Sequence, residues 1–382
     1  MKKILVSAGE VSGDVHGAFL VKEIKKLRSD LYFLGMGSEC LAKEGVEVKF
    51  DISQRGTIGI FEALPNVLPI YLTFLKMKKL LLKEKPDLVL LIDSQGFNMP
   101  LAKFCKKMGF KTVYYIAPQE WLWGTPRGVR KVAETIDLIV AIFEKEYEVY
   151  KKAGANVVYF GHPLVDIVKP SIPKEEARQS FFSYDIPRPS SLVISLCPGS
   201  RTQEIRGLLP ILLKAGELIQ KELPEAKFLM PVASTKIIKE IFNLISDFRP
   251  KALVGQTYEI LNASDLAICT SGTINLEASL LLVPNLMVYK LSRPTYWVGK
   301  YLLKIGEKLK YFSMPNLLLN QEVVPELIME KACPEEIARV ALAILRDKNR
   351  QEKMKEAFSQ LRLQLGQTGV LEKIAKAILT QL

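Results

Sequence analysis

The sequence predicts an α/β protein with two Rossmann-like domains that face each other across a cleft. Its 382 residues suffice for two domains of about 150 residues each. Short apolar runs alternate with amphipathic segments along most of the chain, which is typical of βαβ units. These runs are mostly continuous, as expected for parallel strands that helices cover on both faces.

The short apolar runs rich in β-branched residues are predicted to be strands. In the first half of the chain they lie at residues 4–8, 32–34, 88–93, 112–117, 138–143 and 157–160. In the second half they lie at residues 192–197, 227–232, 252–254, 266–269 and 286–289.

Residues 166–191 separate the two groups of strands and are rich in proline and polar side chains, which is typical of a linker. One short helix, Lys174–Phe181, is predicted within this segment, and the pattern is helical from about residue 334 to the end. We therefore expect a first domain at 1–165, a second at 166–345 and C-terminal helices at 346–382.

The composition restricts the classes of function. Lys and Arg number 53 against 41 Asp and Glu, and the net charge of +12 indicates an anionic partner: nucleic acid, a phosphorylated substrate or anionic lipid. Five widely spaced cysteines and two histidines argue against a disulfide framework and a metal cluster, so no metal is expected. No apolar run is long enough to span a membrane, and the apolar N-terminal stretch is too short for a signal peptide. We expect a cytoplasmic protein.

The loop after the first predicted strand carries several ionisable side chains. Residues 8–17 read AGEVSGDVHG, and this glycine spacing is not the G-x-G-x-x-G fingerprint of dinucleotide sites. Glu10, Asp14 and His16 come together at a predicted helix N-terminus, which favours a functional loop. The alternative is a tight turn in which Ser12 or Asp14 caps the helix.

A second candidate is Asp93, which ends the apolar strand at residues 88–93. A carboxylate at the carboxyl edge of a central strand is well placed to act as a base. The alternative role is an N-cap for a helix that begins near Asn98.

Two loops of the second domain have the composition of phosphate sites. One is a Gly-Ser-Arg turn, where arginine offers bidentate hydrogen bonds, and the other is a Ser-Gly-Thr turn at a helix N-terminus. No G-x-x-x-x-G-K-[ST] loop occurs, which argues against ATP hydrolysis. The candidate ligands of a nucleotide are Gly199, Ser200, Arg201, Ser271, Gly272, Thr273 and Glu277.

Two further segments concern surfaces. At residues 64–83 an apolar run gives way to lysines, which is typical of a core helix with a solvated face and, less often, of a helix in a membrane interface. Residues 121–131 combine two tryptophans with three cations, a pattern that suits either ring stacking or a core anchor.

Taken together, the motifs resemble those of the lipid-A-disaccharide synthase family, and they extend from residue 8 to residue 318. The motifs are AGEVSGD at 8–14, Ile92-Asp93 with Gly96-Phe97-Asn98, Pro118-Gln119 with Trp121 and Trp123, FGHP at 160–163, PGSR at 198–201, Ser271-Gly272-Thr273 with Glu277, and PNLL at 315–318.

This resemblance implies the GT-B glycosyltransferase fold, with UDP-sugar bound by the second domain and the last helix crossing back to the first. It implies transfer of 2,3-diacylglucosamine from UDP to 2,3-diacylglucosamine 1-phosphate, forming the β-1,6-linked lipid A disaccharide 1-phosphate and UDP with inversion. No cofactor or metal is expected for this reaction. The product serves lipopolysaccharide assembly in the Gram-negative outer membrane.

The resemblance also implies roles for single residues. Asp93 matches the family's essential aspartate and is expected to be the base, with Glu10 and His16 as rivals. Asn316 matches a family position near the nucleotide, whereas Gln321 stands where many members have an arginine. We expect the acceptor and membrane side to include Ser12, Asp14, Lys76, Lys78, Lys79 and Lys83.

Three alternative functions are compatible with the same architecture. A UDP-sugar 2-epimerase or another UDP-sugar glycosyltransferase would share the fold, and a non-catalytic two-lobed binding protein would also use a cleft. No nucleic-acid recognition module occurs, so the excess positive charge is expected to serve phosphates and the anionic cytoplasmic face of the inner membrane. The sequence leaves the oligomeric state open, a homodimer included.

Overall fold

The computed structural model describes residues 1–53, 60–182, 191–245, 247–290 and 310–382. These residues form two compact units, each built on one parallel β-sheet. The first unit contains residues 1–53, 62–167 and 365–382, and the second contains the described residues between 168 and 364. The α/β class predicted from the sequence is therefore observed.

The sheet of the first unit has seven strands in the order β3-β2-β1-β4-β5-β6-β7. Its strands are β1 (Lys3–Ala8), β2 (Tyr32–Met36), β3 (Glu47–Phe50), β4 (Leu88–Ile92), β5 (Thr112–Tyr115), β6 (Leu138–Ala141) and β7 (Val157–Tyr159). The order reverses between β1 and β4, which pair directly, and in sheets of this type ligands bind at such a switch point.

Helices connect the strands of the first unit. They are α1 (Val11–Leu27), α2 (Glu39–Lys43), α3 (Ile60–Glu84), α4 (Gln95–Met108), α5 (Glu120–Trp123), α6 (Pro126–Thr135), α7 (Glu144–Lys152) and α8 (Leu164–Ile167). Amphipathic spacing explains how they pack: in α1, Leu20 and Ile24 are fully buried, while Lys22 and Lys26 on the opposite face are exposed.

The sheet of the second unit has six strands in the order β10-β9-β8-β11-β12-β13. They are β8 (Val193–Cys197), β9 (Lys227–Val232), β10 (Lys251–Val254), β11 (Leu266–Thr270), β12 (Asn285–Tyr289) and β13 (Glu326–Ile328). Its switch point lies between β8 and β11, where Cys197 pairs with Cys269 in parallel register.

Helices also connect the strands of the second unit. They are α9 (Lys174–Phe181), α10 (Thr202–Glu222), α11 (Ile238–Leu244), α12 (Thr257–Ala263), α13 (Thr273–Leu280), α14 (Met314–Leu319), α15 (Pro334–Arg346) and α16 (Lys348–Leu365). The predicted helix at 174–181 is confirmed. The rest of the predicted linker includes residues 183–190, which lie outside the described part of the chain.

The last helix, α17 (Val370–Leu379), belongs to the first unit, where it packs on α1. Asp166 caps it from more than 200 residues away, because its two carboxylate oxygens accept the backbone N–H groups of Gly369 and Leu371 at 2.8 and 2.9 Å. A close backbone approach adds to this contact: a Cβ on Gly161 would lie 2.9 Å from the carbonyl oxygen of Leu365.

All the predicted strands are present, but two strands of the structure were not predicted. β3 reads EVKF, and its residues are half-buried or exposed because it lies at the edge of its sheet. β13 has three residues, too few for a periodic pattern. Both pair with a longer neighbour, so the sheet rather than local propensity determines their conformation.

Candidate active site

The first candidate site lies at the carboxyl edge of the first sheet. Glu10 follows β1 and Asp93 follows β4, and since these strands are direct neighbours, the two loops start side by side. Both carboxylates are half-buried, so each keeps contact with solvent. The structure thus brings together two of the three residues that the sequence offered as a base.

Gly9 and Gly17 explain how close the start of α1 lies to this edge. A Cβ on Gly9 would be 2.6 Å from Oγ of Ser94, and one on Gly17 would be 2.8 Å from Cδ1 of Ile92. A Cβ on Gly13 would lie 3.6 Å from Cβ of Asp93, which is an ordinary van der Waals contact, so packing there does not require glycine. Gly9, in the loop before α1, and Gly17, inside the helix, therefore let this segment lie close to the end of β4, and this packing role is separate from any dinucleotide fingerprint.

Ser12 and Asp14 have different surroundings from those of helix caps. The residue that precedes α1 is Glu10, so the alternative of an N-cap at Ser12 or Asp14 is wrong. Oγ of Ser12 donates to Oδ2 of Asp93 at 3.3 Å. Asp14 is buried, and its carboxylate accepts the backbone N–H groups of Ser38 at 2.6 Å and Cys40 at 2.9 Å.

Asp14 therefore ties α1 to the start of α2. Burial raises the pKa of its carboxyl group above the ordinary value, although the backbone hydrogen bonds act in the opposite direction. A third backbone N–H, from Leu41, lies 3.3 Å from the same carboxylate. The role of Asp14 on the acceptor side stays a prediction.

His16 is 5% exposed and contacts the ring of Tyr115 edge to face, with the ring centroids 6.2 Å apart. Burial lowers the pKa of its imidazole to about 4, so the side chain is neutral at pH 7. The other histidine, His162, is also buried, and its Nδ1 accepts the backbone N–H of Leu164 at 3.2 Å. Both imidazoles are neutral core groups, with pKa values below the range in which histidine usually titrates.

The helix after Asp93 begins earlier than the sequence suggested. α4 starts at Gln95 and Ser94 precedes it, so Asp93 is not its N-cap and that alternative is wrong. Asn98 lies inside the helix and is fully buried. Asp93 therefore lies between the end of β4 and the N-cap of α4.

The second candidate site lies at the carboxyl edge of the second sheet. The loops after β8 and β11 start beside each other, because these strands pair through Cys197 and Cys269. Gly199 has φ of +114°, a backbone conformation that glycine adopts readily. The predicted Gly-Ser-Arg and Ser-Gly-Thr turns are therefore neighbours, as a bound diphosphate requires.

Glu204 organises the first of these loops. Its carboxylate accepts the backbone N–H of Ser200 at 3.2 Å and pairs with Nη1 of Arg201 at 2.9 Å. Glu204 was not among the residues predicted from the sequence, although a glutamate three positions after the N-cap is the capping-box spacing. Glu204 holds the guanidinium of Arg201 at the first turn of α10.

The second loop leads into the N-terminus of α13. Gly272 is the residue before the helix, with φ of +151°, and both Gly272 and Thr273 are exposed. The free backbone N–H groups of such a helix end attract phosphate. One turn further, desolvation raises the pKa of Glu277 to about 7, and the hydroxyl of Thr273 lowers it by a smaller amount.

Asn316 is fully buried in α14, and protein groups use its hydrogen-bonding capacity. Its Oδ1 accepts the backbone N–H groups of Val323 and Val324, each at 2.8 Å. Its Nδ2 donates to the carbonyl oxygen of Val324 at 2.7 Å and to Glu326 at 2.9 Å. The side chain shapes the loop after α14, and its expected place near a nucleotide stays a prediction.

The lysine-bearing segment forms α3, which is amphipathic. Its inner face packs in the core, where Met77 and Leu81 are fully buried. Among the lysines, Lys78 is half-buried, with Nζ 4.6 Å from the ring centroid of Phe104. The other three are exposed: Lys76, Lys79 and Lys83.

The outer face of α3 also carries exposed apolar side chains, so only part of this apolar run lies in the core. Its exposed apolar residues are Val67 at 55%, Leu68 at 64%, Tyr71 at 54%, Leu72 at 48% and Leu82 at 45%. We call this outer face, with Lys76, Lys79 and Lys83, the α3 surface. Exposed clusters of this kind are typical of interaction sites.

Two further features concern metal binding and membrane insertion. In the described part of the chain, no cluster of three His, Cys, Asp or Glu side chains is arranged to hold a metal ion. Within the same residues, no helix combines the length and apolar character needed to cross a membrane.

Trp121 donates to Oε1 of Gln119 at 2.7 Å and packs on Phe143, as expected for a core anchor.

Comparison with known proteins settles the family. The profile of lipid-A-disaccharide synthetases matches residues 4–380. The chain belongs to the lipid-A-disaccharide synthase family. The lipid-A-disaccharide synthase of Geobacter metallireducens is 36% identical over 383 residues, which cover 100% of this chain and 97% of that protein. The synthase of Nitrosococcus oceani is 35% identical, covering 99% and 96%.

Membership of the lipid-A-disaccharide synthase family makes this chain a glycosyltransferase and confirms the resemblance seen in the motifs. Solved structures agree in fold. UDP-GlcNAc 2-epimerase from Neisseria meningitidis, bound to UDP-GlcNAc, has a TM-score of 0.62 at 15% identity, covering 99% of this chain and 98% of that one. MurG from Acinetobacter baumannii has a TM-score of 0.55 at 15% identity, covering both chains fully.

This likeness concerns the fold alone, and it confirms the predicted GT-B class. The epimerase alternative is not favoured, because the family match is to synthases rather than to epimerases.

Proposed function

We propose that this chain transfers 2,3-diacylglucosamine from its UDP derivative to 2,3-diacylglucosamine 1-phosphate. The products are the lipid A disaccharide 1-phosphate and UDP. The observation that carries the proposal is the family match over residues 4–380, together with the paired loops after β8 and β11. Those loops offer a helix N-terminus and an arginine to a diphosphate, as a UDP-sugar requires.

The reaction is a single displacement with inversion. The 6-hydroxyl oxygen of the acceptor bonds to the anomeric carbon of the donor, the bond from that carbon to UDP breaks, and the hydroxyl proton passes to a base. We assign the base to Asp93, because its side chain is half-buried and the residue directly follows the central strand β4. His16 is a weaker candidate because it is 5% exposed, and Glu10 remains a rival.

The leaving UDP gains negative charge as its bond to the sugar breaks. We assign stabilisation of this charge to Arg201 and to the backbone N–H of Thr273 at the N-terminus of α13, with Glu277 as acceptor for the ribose hydroxyls. The orientation of Arg201 by Glu204 supports this assignment, because a guanidinium held in advance loses less freedom when the diphosphate binds.

Asp93→Asn tests the assignment of the base. We expect turnover to fall by a factor of about 100 to 10,000, the usual worth of a positioned base, with UDP binding unchanged because its proposed ligands belong to the other unit. Asp87→Asn is the matched control, since Asp87 lies just before the amino end of the same strand and accepts the backbone N–H of Lys3. Full activity of Asp93→Asn would remove Asp93 as the base.

The substrate assignment has its own test. Supplying UDP-diacylglucosamine with and without the monosaccharide phosphate, and weighing the product, should give UDP release only when both are present. UDP release or sugar isomerisation without the acceptor would contradict the transferase reaction.

We further propose that the chain works as a peripheral protein on the cytoplasmic face of the inner membrane, with the α3 surface as its docking site. Apolar side chains followed by lysines on one helix face suit the boundary between acyl chains and anionic headgroups. Lys78 is expected to contribute less than the other lysines, because its side chain already packs over Phe104.

Liposome flotation at low salt tests the α3 surface. Replacing Lys76, Lys79 and Lys83 by glutamine removes three charges worth about 1 kcal/mol each, so binding to anionic vesicles should weaken on the order of 100-fold. The charge-matched control carries the same glutamine substitutions at three other exposed lysines of the same unit, Lys131, Lys145 and Lys152. Equal losses in both variants would mean that net charge, not this surface, directs binding.

A further inference from the structure

The backbone at the proposed base has a rare conformation. Asp93 has φ of +50° and Ser94 has φ of +49°, so two consecutive residues with side chains adopt the left-handed region. Non-glycine residues rarely do so, and such turns persist only where the surroundings hold them. The turn lies between the end of β4 and the start of α4.

Two buried side chains hold this turn through its carbonyl groups. Nδ2 of Asn98 lies 2.8 Å from the carbonyl oxygen of Asp93 and 3.1 Å from that of Ile92. The hydroxyl of Tyr114 donates to the same carbonyl oxygen of Asp93 at 2.8 Å. Both Asn98 and Tyr114 are fully buried, so water does not compete for these bonds.

The amide of Asn98 is itself held in place from a neighbouring strand. Oγ of Ser7, in β1, donates to Oδ1 of Asn98 at 2.6 Å, and Nδ2 of Asn98 lies 3.1 Å from the carbonyl oxygen of Ser7. Tyr114 comes from β5, on the other side of β4. Hydrogen bonds from both strands beside β4 therefore hold the peptide group that follows Asp93: Tyr114 of β5 bonds to it directly, and Ser7 of β1 acts through Asn98.

We propose that Asn98 and Tyr114 are positioning residues for the glycosyl transfer. They fix the carbonyl of Asp93, and through it the rotation of the backbone from which its carboxylate projects. The inference rests on the proposed role of Asp93 as the base. Neither side chain needs to touch a substrate, since each acts on the direction of the carboxylate.

Tyr114→Phe tests the inference, because it removes one donor to the turn and keeps the ring. We expect kcat to fall about tenfold, which corresponds to about 1.4 kcal/mol, the worth of one buried hydrogen bond. The KM values of both substrates and the affinity for UDP should stay within twofold. Tyr150→Phe is the matched control, since the buried hydroxyl of Tyr150 donates to the carbonyl oxygen of Pro118 at 2.7 Å.

The two tyrosine variants should lose similar thermal stability, but only Tyr114→Phe should lose kcat. If Tyr114→Phe keeps kcat within threefold of the wild type, the inference is wrong. If kcat falls equally in both variants, the loss reflects general loosening of the unit, and the inference is also wrong.

Asn98 is tested through its partner, because replacing the fully buried amide itself risks unfolding. Ser7→Ala leaves Asn98 in place and removes the hydrogen bond that orients its amide. We expect a smaller fall in kcat, about threefold, with unchanged KM; unchanged kcat in a folded variant would exclude Asn98 from positioning. The two proposals fail in different ways. If Asp93→Asn is inactive and Tyr114→Phe is fully active, only the positioning role is contradicted. If Asp93→Asn is active, the role of Asp93 as the base is contradicted.

Discussion

Glu277 makes the binding of UDP dependent on pH in a way that can be calculated. Desolvation raises the pKa of this carboxyl to about 7, and its proposed task is to accept hydrogen bonds from the ribose hydroxyls. The carboxylate accepts such bonds better than the neutral acid, which carries a proton on one oxygen. Binding should therefore strengthen as the pH rises through about 7.

The size of the effect follows from the ionised fraction. With a pKa of about 7, roughly a tenth of the molecules carry an ionised Glu277 at pH 6 and roughly nine tenths at pH 8. UDP should thus bind about tenfold more tightly at pH 8 than at pH 6, a difference of about 1.4 kcal/mol. Protonation, which turns one acceptor oxygen into a donor, weakens UDP binding below the pKa and has no effect well above it.

Isothermal titration of UDP between pH 6 and pH 8.5 measures this dependence. UDP itself also titrates, so Glu277→Gln, whose side chain cannot ionise, provides the baseline. The quantity to compare is the ratio of the two dissociation constants at each pH, which should change about tenfold across the range. A ratio that stays constant with pH would refute the reasoning, because Glu277 would then not titrate at the nucleotide site.

Two further predictions concern stability. Glu146 is fully buried, with one oxygen accepting the backbone N–H of Ile142 at 2.8 Å, and burial raises its pKa from 4.5 to about 8. Because the folded state binds the proton more tightly, the stability of the wild type falls as the pH rises from 4.5 to 8. In urea unfolding, the free energy of unfolding of Glu146→Gln relative to the wild type should therefore rise by about 4 kcal/mol between pH 5 and pH 8. A difference that does not change with pH would contradict this. Asp166→Ala should cost about 1 to 2 kcal/mol and speed hydrogen exchange within α17, since it removes the cap on Gly369 and Leu371. Unchanged exchange there would mean that the contact with α1 alone retains the helix.

The candidate sites show how far residue types and spacing can lead. The Gly-Ser-Arg and Ser-Gly-Thr turns were found from the sequence because a loop between strand and helix has a local signature. Glu204 had such a signature too, in its capping-box spacing, and was overlooked. Tyr114 had none, because the bond from its hydroxyl to Asp93 joins residues 21 positions apart across two strands.

The glycines at positions 9, 13 and 17 illustrate a second limit. Their four-residue spacing is visible in the sequence, but its meaning depends on which residues pack against them. A Cβ on Gly9 would lie 2.6 Å from Oγ of Ser94 and one on Gly17 would lie 2.8 Å from Cδ1 of Ile92, so packing favours glycine at two of the three positions. Local pattern alone suggested a ligand loop or a capped turn.

The sequence by itself determined the alternation of strands and helices, the break between the two groups of strands and the family, because each depends on local periodicity or on residues close together in the chain. The tertiary structure decided which ionisable groups remain accessible: His16 is buried and neutral, Asp14 joins two helices, and Asp93 stays half-exposed in a left-handed turn. Burial and hydrogen-bond partners come from segments distant in sequence, so no local pattern carries them.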